Sequence, residues 1–182
     1  MNLISKLYKK KSRDIKILEF GCGWGFWSRL AQSFNYDVEG IEISKTRLNF
    51  LNDCKINTLR EIDLNKEYDF IYSNQVFEHL NFPELEFSKL VSVLKKDSFL
   101  LIKVPSSFLH LQKEILNKHS YKNILFPLEH INLYNKKVFK FLAKKYNLKI
   151  SNHYILKLNS LYGISLFVKN TFTNSFVLFK KN

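Results

Sequence analysis

Cysteine, proline and glycine are scarce in this chain of 182 residues, which has two, three and five of them respectively. The two cysteines, Cys22 and Cys54, have no metal-ligand spacing and lie in different predicted elements, which favours a reducing compartment. Long apolar runs are also missing, so the sequence offers neither a signal-peptide core nor a membrane span. We therefore expect a cytoplasmic protein.

Acidic residues are few as well, 16 against 29 basic ones, and the formal net charge is +13. Such a charge invites a nucleic-acid interpretation. The excess is nearly all lysine, however, and its scattered pairs are typical of solvated helix ends. Only Lys9, Lys10 and Lys11 with Arg13 cluster, within a short basic segment at residues 1–14. The charge alone therefore indicates no nucleic-acid partner.

Short apolar runs alternate with helical patterns, and hydrophobic residues make up 46% of the chain, which suits one folded domain over residues 1–182. Several runs are nearly continuous, as in buried parallel strands. The predicted strands are residues 15–20, 37–43, 68–73 and 98–104. Strand-helix-strand alternation predicts an α/β fold with a parallel sheet.

Two helices follow from apolar periodicity and end signals. One begins at Pro83, and its apolar face is predicted to hold Phe87, Leu90, Val91 and Leu94. The other follows an N-cap at Asn135 and is predicted to group Val138, Phe141 and Leu142 on one face. Asn147 is a plausible left-handed residue at its end.

Three glycines, Gly21, Gly23 and Gly25, stand between the first predicted strand and a helical pattern. The loop after the first strand of such a sheet borders the ligand crevice. We expect Gly21 to allow a tight turn, Gly23 to let the backbone approach a ligand, and Gly25 to let the helix start close to the sheet. The spacing is not the dinucleotide fingerprint, because Phe26 occupies the place of its last glycine.

The segment from Glu19 to Gly25 resembles motif I of the class I S-adenosylmethionine-dependent methyltransferases, small-molecule type, domain 23 or 11. Further segments resemble the family in the same order: residues 40–44 the end of the second strand, 61–80 the third and fourth strands with a Glu-His segment, 91–107 the next helix and strand, and 129–150 a His-x-Asn segment. The resemblance implies a Rossmann-like, seven-stranded, mostly parallel sheet, with helices on both faces and an antiparallel last strand.

The resemblance implies S-adenosylmethionine as the cofactor, and the chemistry of that molecule suits the same residues. Glu19 would face the ammonium and Glu42 the ribose hydroxyls, while Asp63 and Leu64 would border the adenine. Asn74 and Gln75 would line the methionine side. The full expected set is Glu19, Gly21, Cys22, Gly23, Glu42, Ile43, Asp63, Leu64, Asn74 and Gln75. A solvent-exposed acid at position 42 and a turn aspartate at position 63 are the alternatives.

Methyl transfer requires an oriented acceptor and, for a hydroxyl, removal of its proton. His79 and His130 are the candidate bases, since both are expected at the carboxyl edge of the sheet. The alternative is that each braces its loop by hydrogen bonds. We expect no resident metal, although the repeated Glu-His dipeptide, Glu78-His79 and Glu129-His130, leaves metal-assisted activation of a hydroxyl open.

Little chain precedes motif I, so the lid over the acceptor is expected to be short or absent. Residues 105–134, a second copy of the chain or a partner chain would complete the acceptor site, unless it stays open for a bulky acceptor.

Two signatures of nucleobase methylation are missing from the sequence. Residues 73–76 carry no Asn-Pro-Pro-aromatic motif, and neither cysteine follows a proline. A nucleic-acid acceptor is therefore disfavoured, and we expect a hydroxyl on a small molecule, a sugar or a cell-surface glycan. The rival hypotheses are an RNA-modifying methyltransferase and a non-catalytic, cofactor-binding subunit of a larger complex.

Overall fold

The computed structural model describes Ile4 and residues 7–105, 130–151 and 174–182. Most of the predicted acceptor segment, residues 106–129, lies outside the described residues. The strands are β1 (Lys16–Phe20), β2 (Asp37–Ile41), β3 (Asn57–Leu59), β4 (Tyr68–Asn74), β5 (Leu94–Pro105), β6 (Leu148–Ile150) and β7 (Asn174–Lys181). The helices are α1 (Phe26–Ser33), α2 (Lys45–Asp53), α3 (Pro83–Ser92) and α4 (Lys136–Lys145), with 3-10 turns at Ser12–Asp14 and Phe77–His79.

All seven strands form one sheet in the order β3-β2-β1-β4-β5-β7-β6. The pairs from β3 to β5 are parallel, and β7 runs antiparallel to both β5 and β6. The chain moves outward from β1 to β3 and then returns to β4 on the other side of β1. This reversal places a ligand crevice beyond the carboxyl ends of β1 and β4.

Alternate residues of the strands feed two hydrophobic clusters, because successive strand side chains point to opposite faces of the sheet. Leu18 and Leu100 belong to the cluster that also contains buried residues of α3 and α4. Their neighbours Ile17 and Phe99 belong to the cluster that contains Ala31 of α1. Helices therefore pack on both faces, which confirms the predicted architecture. Within the part of the chain described here, no helix combines the length and apolar character needed to cross a bilayer.

The end signals of α4 are confirmed. Asn135 is its N-cap, and the side-chain oxygen accepts hydrogen bonds from the backbone N–H groups of Lys137 and Val138, at 2.9 and 3.2 Å. Asn147, just beyond the helix, has the left-handed φ of 52°. Asparagine tolerates this conformation better than most residues.

Three details of the predicted elements were wrong. Phe141 is 57% exposed, and Phe139, at 1%, is the phenylalanine of α4 that enters the core. Leu94 begins β5 instead of ending α3. The third strand is Asn57–Leu59, just before the segment 61–80 in which the family resemblance put it. It is a three-residue edge strand without a buried residue, so it leaves little apolar pattern in the sequence.

Candidate active site

A cleft of about 590 Å³ opens where the strand order reverses, between the loops that follow β1 and β4. Its size is that of a small-molecule site. The lining residues come from the ends of β1, β2 and β4, from the loops that follow these three strands, and from α1 and α2: Glu19, Phe20, Gly21, Cys22, Gly23, Trp24, Phe26, Trp27, Ile41, Glu42, Ile43, Arg47, Tyr72, Asn74, Gln75, Val76, His79 and Leu80. Asp63, Leu64 and His130 are the predicted site residues that do not line it.

The glycine loop is fixed against β2, since the N–H groups of Gly21 and Cys22 both donate to the Ile41 carbonyl oxygen at 3.0 and 2.9 Å. Gly21, Gly23 and Gly25 all have positive φ angles, of 76°, 58° and 68°. A Cβ atom at Gly21 would lie 2.4 Å from Val76 Cγ2, whereas one at Gly23 would meet no atom within 4 Å. The space beside Gly23 therefore belongs to the cleft.

Gly25 is the N-cap of α1, and its lack of a side chain allows close packing at this position. A Cβ atom there would lie 2.4 Å from Leu51 Cδ2 and 2.7 Å from Ile56 Cδ1. The close approach thus joins the start of α1 to α2 and the residue before β3, rather than to the sheet as we predicted.

Glu19, at the carboxyl end of β1, presents a buried acid to the cleft, with 6% of its surface exposed. Burial raises the pKa of Glu19 to about 7, and hydrogen bonds from Ser28 offset only part of this effect. The Ser28 hydroxyl, itself fully buried, donates to Glu19 Oε2. A cation that enters the cleft would stabilise the ionised carboxylate.

Glu42 follows β2 and is 5% exposed, so the alternative of a solvent-exposed strand-end acid is wrong. Its Oε1 accepts hydrogen bonds from the N–H groups of Ile43 and Ser44, at 2.9 and 2.8 Å. Its Oε2 lies 3.4 Å from Arg47 Nη1. These contacts hold the carboxylate at the cleft wall, while the side chain of Ile43, 75% exposed, stands beside it.

Asp63 stabilises a turn, which is the role named as the alternative. Its Oδ1 accepts hydrogen bonds from the Asn65 backbone N–H at 3.0 Å and from Asn65 Nδ2 at 3.3 Å. Leu64 beside it is 61% exposed. Their contact with an adenine ring stays a prediction.

Asn74 ends β4 and Gln75 follows it, and both line the cleft with a conformation that the sequence did not reveal. Their contact with the methionine part of the cofactor stays a prediction. Gln75 has a φ of 56°, in the left-handed region that disfavours non-glycine residues. Its N–H donates to the Lys103 carbonyl oxygen at 2.8 Å, and its Nε2 is buried without a hydrogen-bond partner among the described residues. Strained backbone of this kind is concentrated at functional sites.

The two candidate histidines are neighbours, although 51 positions separate His79 from His130 in the numbering. Their rings lie edge to face with centroids 4.7 Å apart, and His79 Nε2 is 4.0 Å from Glu78 Oε1. Burial raises the pKa of Glu78, and the charges of the two histidines lower it by less.

Asn132 joins the two histidine segments. Its Nδ2 donates to the carbonyl oxygens of Leu80 and Phe77, at 2.6 and 3.3 Å, and its N–H donates to the Glu78 carbonyl oxygen at 3.1 Å. The Tyr134 hydroxyl adds a hydrogen bond of 3.2 Å to the Phe77 carbonyl oxygen. The segment of His130 is therefore held against the 3-10 turn that carries His79.

Sequence reasoning missed four side chains of this region. Ser28 supports Glu19, and Arg47 supports Glu42. Trp27 and Tyr72 line the cleft as a ring pair, with centroids 4.5 Å apart. Burial raises the pKa of Tyr72 to about 12, and the charge of Glu19 adds to this effect. Of these four side chains, only Tyr72 could have been assigned to the site from the sequence, because it lies near the end of a predicted strand.

Comparison with known proteins agrees with this fold. A sequence search of curated proteins finds no match. Solved structures with the same fold include an S-adenosylmethionine-dependent methyltransferase from Mesorhizobium loti, with a TM-score of 0.67 at 13% identity, covering 99% of this chain and 96% of that one. An Archaeoglobus fulgidus enzyme of the same description gives 0.63 at 17% identity, covering 98% and 91%.

A third structure is the magnesium protoporphyrin IX methyltransferase of Synechocystis with bound S-adenosylhomocysteine, with a TM-score of 0.64 at 14% identity, covering 92% of this chain and 74% of that one. The family model described as "Methyltransferase domain" matches residues 1–153 of the sequence. The chain therefore belongs to the methyltransferase domain family, and the predicted membership of the class I S-adenosylmethionine-dependent methyltransferases is confirmed.

Proposed function

We propose that this methyltransferase transfers the methyl group of S-adenosylmethionine to a hydroxyl oxygen of a small molecule or sugar, including a cell-surface glycan. The observation that carries the proposal is that His79, one ring of the His79–His130 pair, lines the same cleft as two buried acids, Glu19 and Glu42. The acids suit the cofactor, and the imidazoles suit an acceptor that must lose a proton.

Three residues that line the cleft, Glu19, Glu42 and Gly23, support the cofactor assignment. The ionised carboxylate of Glu19 would bind the cofactor ammonium, which offsets the cost of its burial. Glu42 would accept hydrogen bonds from the ribose hydroxyls, since Ile43, Ser44 and Arg47 already fix its carboxylate. The open space beside Gly23 would admit the amino-acid end of the cofactor.

The sulfonium of the bound cofactor supplies an activated methyl group, so the chain needs only to orient the acceptor and assist its deprotonation. His79 lines the cleft, and Asn132 holds His130 beside it. The carboxylate of Glu78 belongs to the same group, since its Oε1 lies 4.0 Å from His79 Nε2. Together these residues would assist removal of the hydroxyl proton as the methyl group is transferred.

Two measurements test the proposal. Isothermal titration calorimetry should detect binding of S-adenosylhomocysteine to the native chain, and no affinity would reject the methyltransferase assignment for this cleft. Formation of S-adenosylhomocysteine should then be followed with sugars and other hydroxyl compounds as acceptors. With an accepted compound, His79→Ala or His130→Ala should lower turnover by about two to four orders of magnitude and preserve cofactor affinity. Undiminished turnover in both variants would remove the histidines from catalysis.

A further inference from the structure

Cofactor binding leaves one cluster of metal-ligating side chains unused, formed by Glu78, His79 and His130 and called here the EHH cluster. Each of the three residues offers a ligand atom, and these atoms all lie within 4.8 Å of one another. The cluster borders the cleft through His79. It therefore stands where the acceptor is expected, beyond the end of β4.

Burial of an ionised Glu78 without a nearby cation costs free energy. Glu78 is 1% exposed, and neither carboxylate oxygen accepts a hydrogen bond from any other residue that the structure describes. A buried ionised carboxylate is strongly destabilising unless an opposite charge or a metal ion compensates it. An imidazole 4.0 Å from Oε1 is a weak substitute, since it carries a charge only when protonated.

We propose that the EHH cluster binds a first-row divalent transition metal ion, such as Mn²⁺ or Zn²⁺. Two imidazoles and one carboxylate are a ligand set that these ions use, and three protein ligands leave coordination positions open. Metal–ligand bonds of about 2.0 to 2.2 Å bring bound ligand atoms to roughly 3.0 to 3.4 Å from one another. Rotations of the His79 and His130 side chains would have to supply this contraction, since the ligand atoms now lie within 4.8 Å of one another.

This inference adds a metal ion to the proposed function. It rests on that function for the nature of the acceptor, a hydroxyl group. The acceptor oxygen would occupy an open coordination position, and the metal ion would lower the pKa of its hydroxyl group. The proton then leaves to water, and the oxygen forms its bond to the methyl carbon while the carbon–sulfur bond breaks. S-adenosylhomocysteine is the second product. The histidines would thus assist deprotonation by holding the metal ion.

The test is a titration of MnCl₂ into the chelator-treated full chain, followed by calorimetry, with CoCl₂ and visible absorption as the second probe. We expect saturable binding, and imidazole ligands should give Co²⁺ a d–d absorption band. Glu78→Gln and His130→Asn should each weaken Mn²⁺ binding more than about 100-fold, beyond the 10- to 100-fold that loss of an outer-shell partner costs. Neither residue lines the cleft, so S-adenosylhomocysteine binding should persist and report a folded protein.

The matched control is Glu84→Gln, which removes a half-exposed carboxylate paired with Lys145. It should bind Mn²⁺ like the native chain. A native chain that binds S-adenosylhomocysteine but neither metal ion would overturn the cluster and leave the methyltransferase intact. Equal Mn²⁺ affinity in Glu78→Gln, His130→Asn and the native chain would also overturn it. Metal binding without S-adenosylhomocysteine binding would support the cluster and reject the proposed cofactor site.

Discussion

The hydroxyl of Ser28, in the first turn of α1, donates a hydrogen bond to the buried carboxylate of Glu19 at the end of β1. Burial raises the pKa of Glu19 to about 7 even with this hydrogen bond. The acid proposed to bind the cofactor ammonium is therefore partly protonated at neutral pH in the free protein. Cofactor binding and proton release should be coupled through this pair.

The first prediction is that affinity for S-adenosylhomocysteine falls as the pH drops below about 7. The ammonium binds ionised Glu19, so below the pKa each binding event must displace a proton, at a cost that approaches about tenfold in affinity per pH unit. Calorimetry in buffers of different ionisation enthalpy would measure that proton release near pH 6. Glu19→Gln should bind more weakly, with a nearly flat pH profile in this range. A native profile as flat as that of Glu19→Gln would separate this acid from the ammonium.

The second prediction separates the roles of two glycines. Gly23→Asn should fold normally, because asparagine tolerates positive φ and a Cβ atom at this position meets no atom within 4 Å. It should nevertheless bind S-adenosylhomocysteine at least about tenfold more weakly, since the side chain fills the cleft, and each factor of ten corresponds to about 1.4 kcal/mol. Calorimetry measures the affinity, and thermal unfolding measures the stability.

Gly21→Ala is the contrasting variant. Its Cβ would lie 2.4 Å from Val76 Cγ2, at a backbone conformation that costs an L-residue about 1 to 2 kcal/mol. This variant should therefore lose thermal stability first. If Gly23→Asn binds S-adenosylhomocysteine like the native chain, the ligand does not approach the backbone at Gly23.

The glycine loop and the central strands could be predicted because their signals are local. Ile17 and Leu18 lie in a mostly apolar run between Ile15 and Phe20, and positive φ at Gly21 follows from its place in a tight turn. The local sequence does not determine whether Phe139 or Phe141 enters the core, because either phenylalanine completes a helical apolar face with Leu142. Only the position of α4 against the sheet selects Phe139, which packs with its ring centroid 6.1 Å from that of Phe179.

The sequence likewise predicted the parts of the site that depend on local position, but not those that depend on long-range contacts. Glu42 was assigned from its place after the second strand, and the structure adds that its carboxylate is buried and hydrogen-bonded. The burial of Glu78 and the contact between His79 and His130 depend on how residues 130–134 return to the end of β4. Hydrophobic periodicity does not indicate contacts between residues so far apart in the sequence. The EHH cluster was therefore identified only in the structure.

The third prediction concerns Glu42. Glu42→Ala should weaken S-adenosylhomocysteine binding about tenfold or more, because a charged acceptor of ribose hydroxyl groups contributes about 1.5 to 3 kcal/mol. Glu39→Ala is the matched control, since Glu39 is a buried acid of β2, the strand that Glu42 follows. It pairs with Lys66 at 2.7 Å and does not line the cleft. It should lose stability but retain affinity. Equal affinities of the Glu42→Ala and native proteins in calorimetry would place Glu42 outside the ribose site.

The last prediction tests Asn132 as a positioning residue for the EHH cluster. Its side chain and backbone make three hydrogen bonds, to the carbonyl oxygens of Phe77, Glu78 and Leu80, and so hold His130 beside His79. Asn132→Ala removes the two side-chain bonds and should loosen His130. We expect Mn²⁺ binding in calorimetry to weaken about 10- to 100-fold, as for loss of an outer-shell partner, with unchanged S-adenosylhomocysteine affinity.

Asn135→Ala is the control for a purely structural effect. Asn135 caps α4 three positions later through hydrogen bonds to Lys137 and Val138, so its loss should cost about 1 kcal/mol of stability without touching the histidines. If both variants lose similar stability but only Asn132→Ala loses Mn²⁺ affinity, the hydrogen bonds to the 3-10 turn position the cluster. Equal Mn²⁺ affinity in the two variants would show that His130 keeps its place without Asn132, and would assign Asn132 to stability alone.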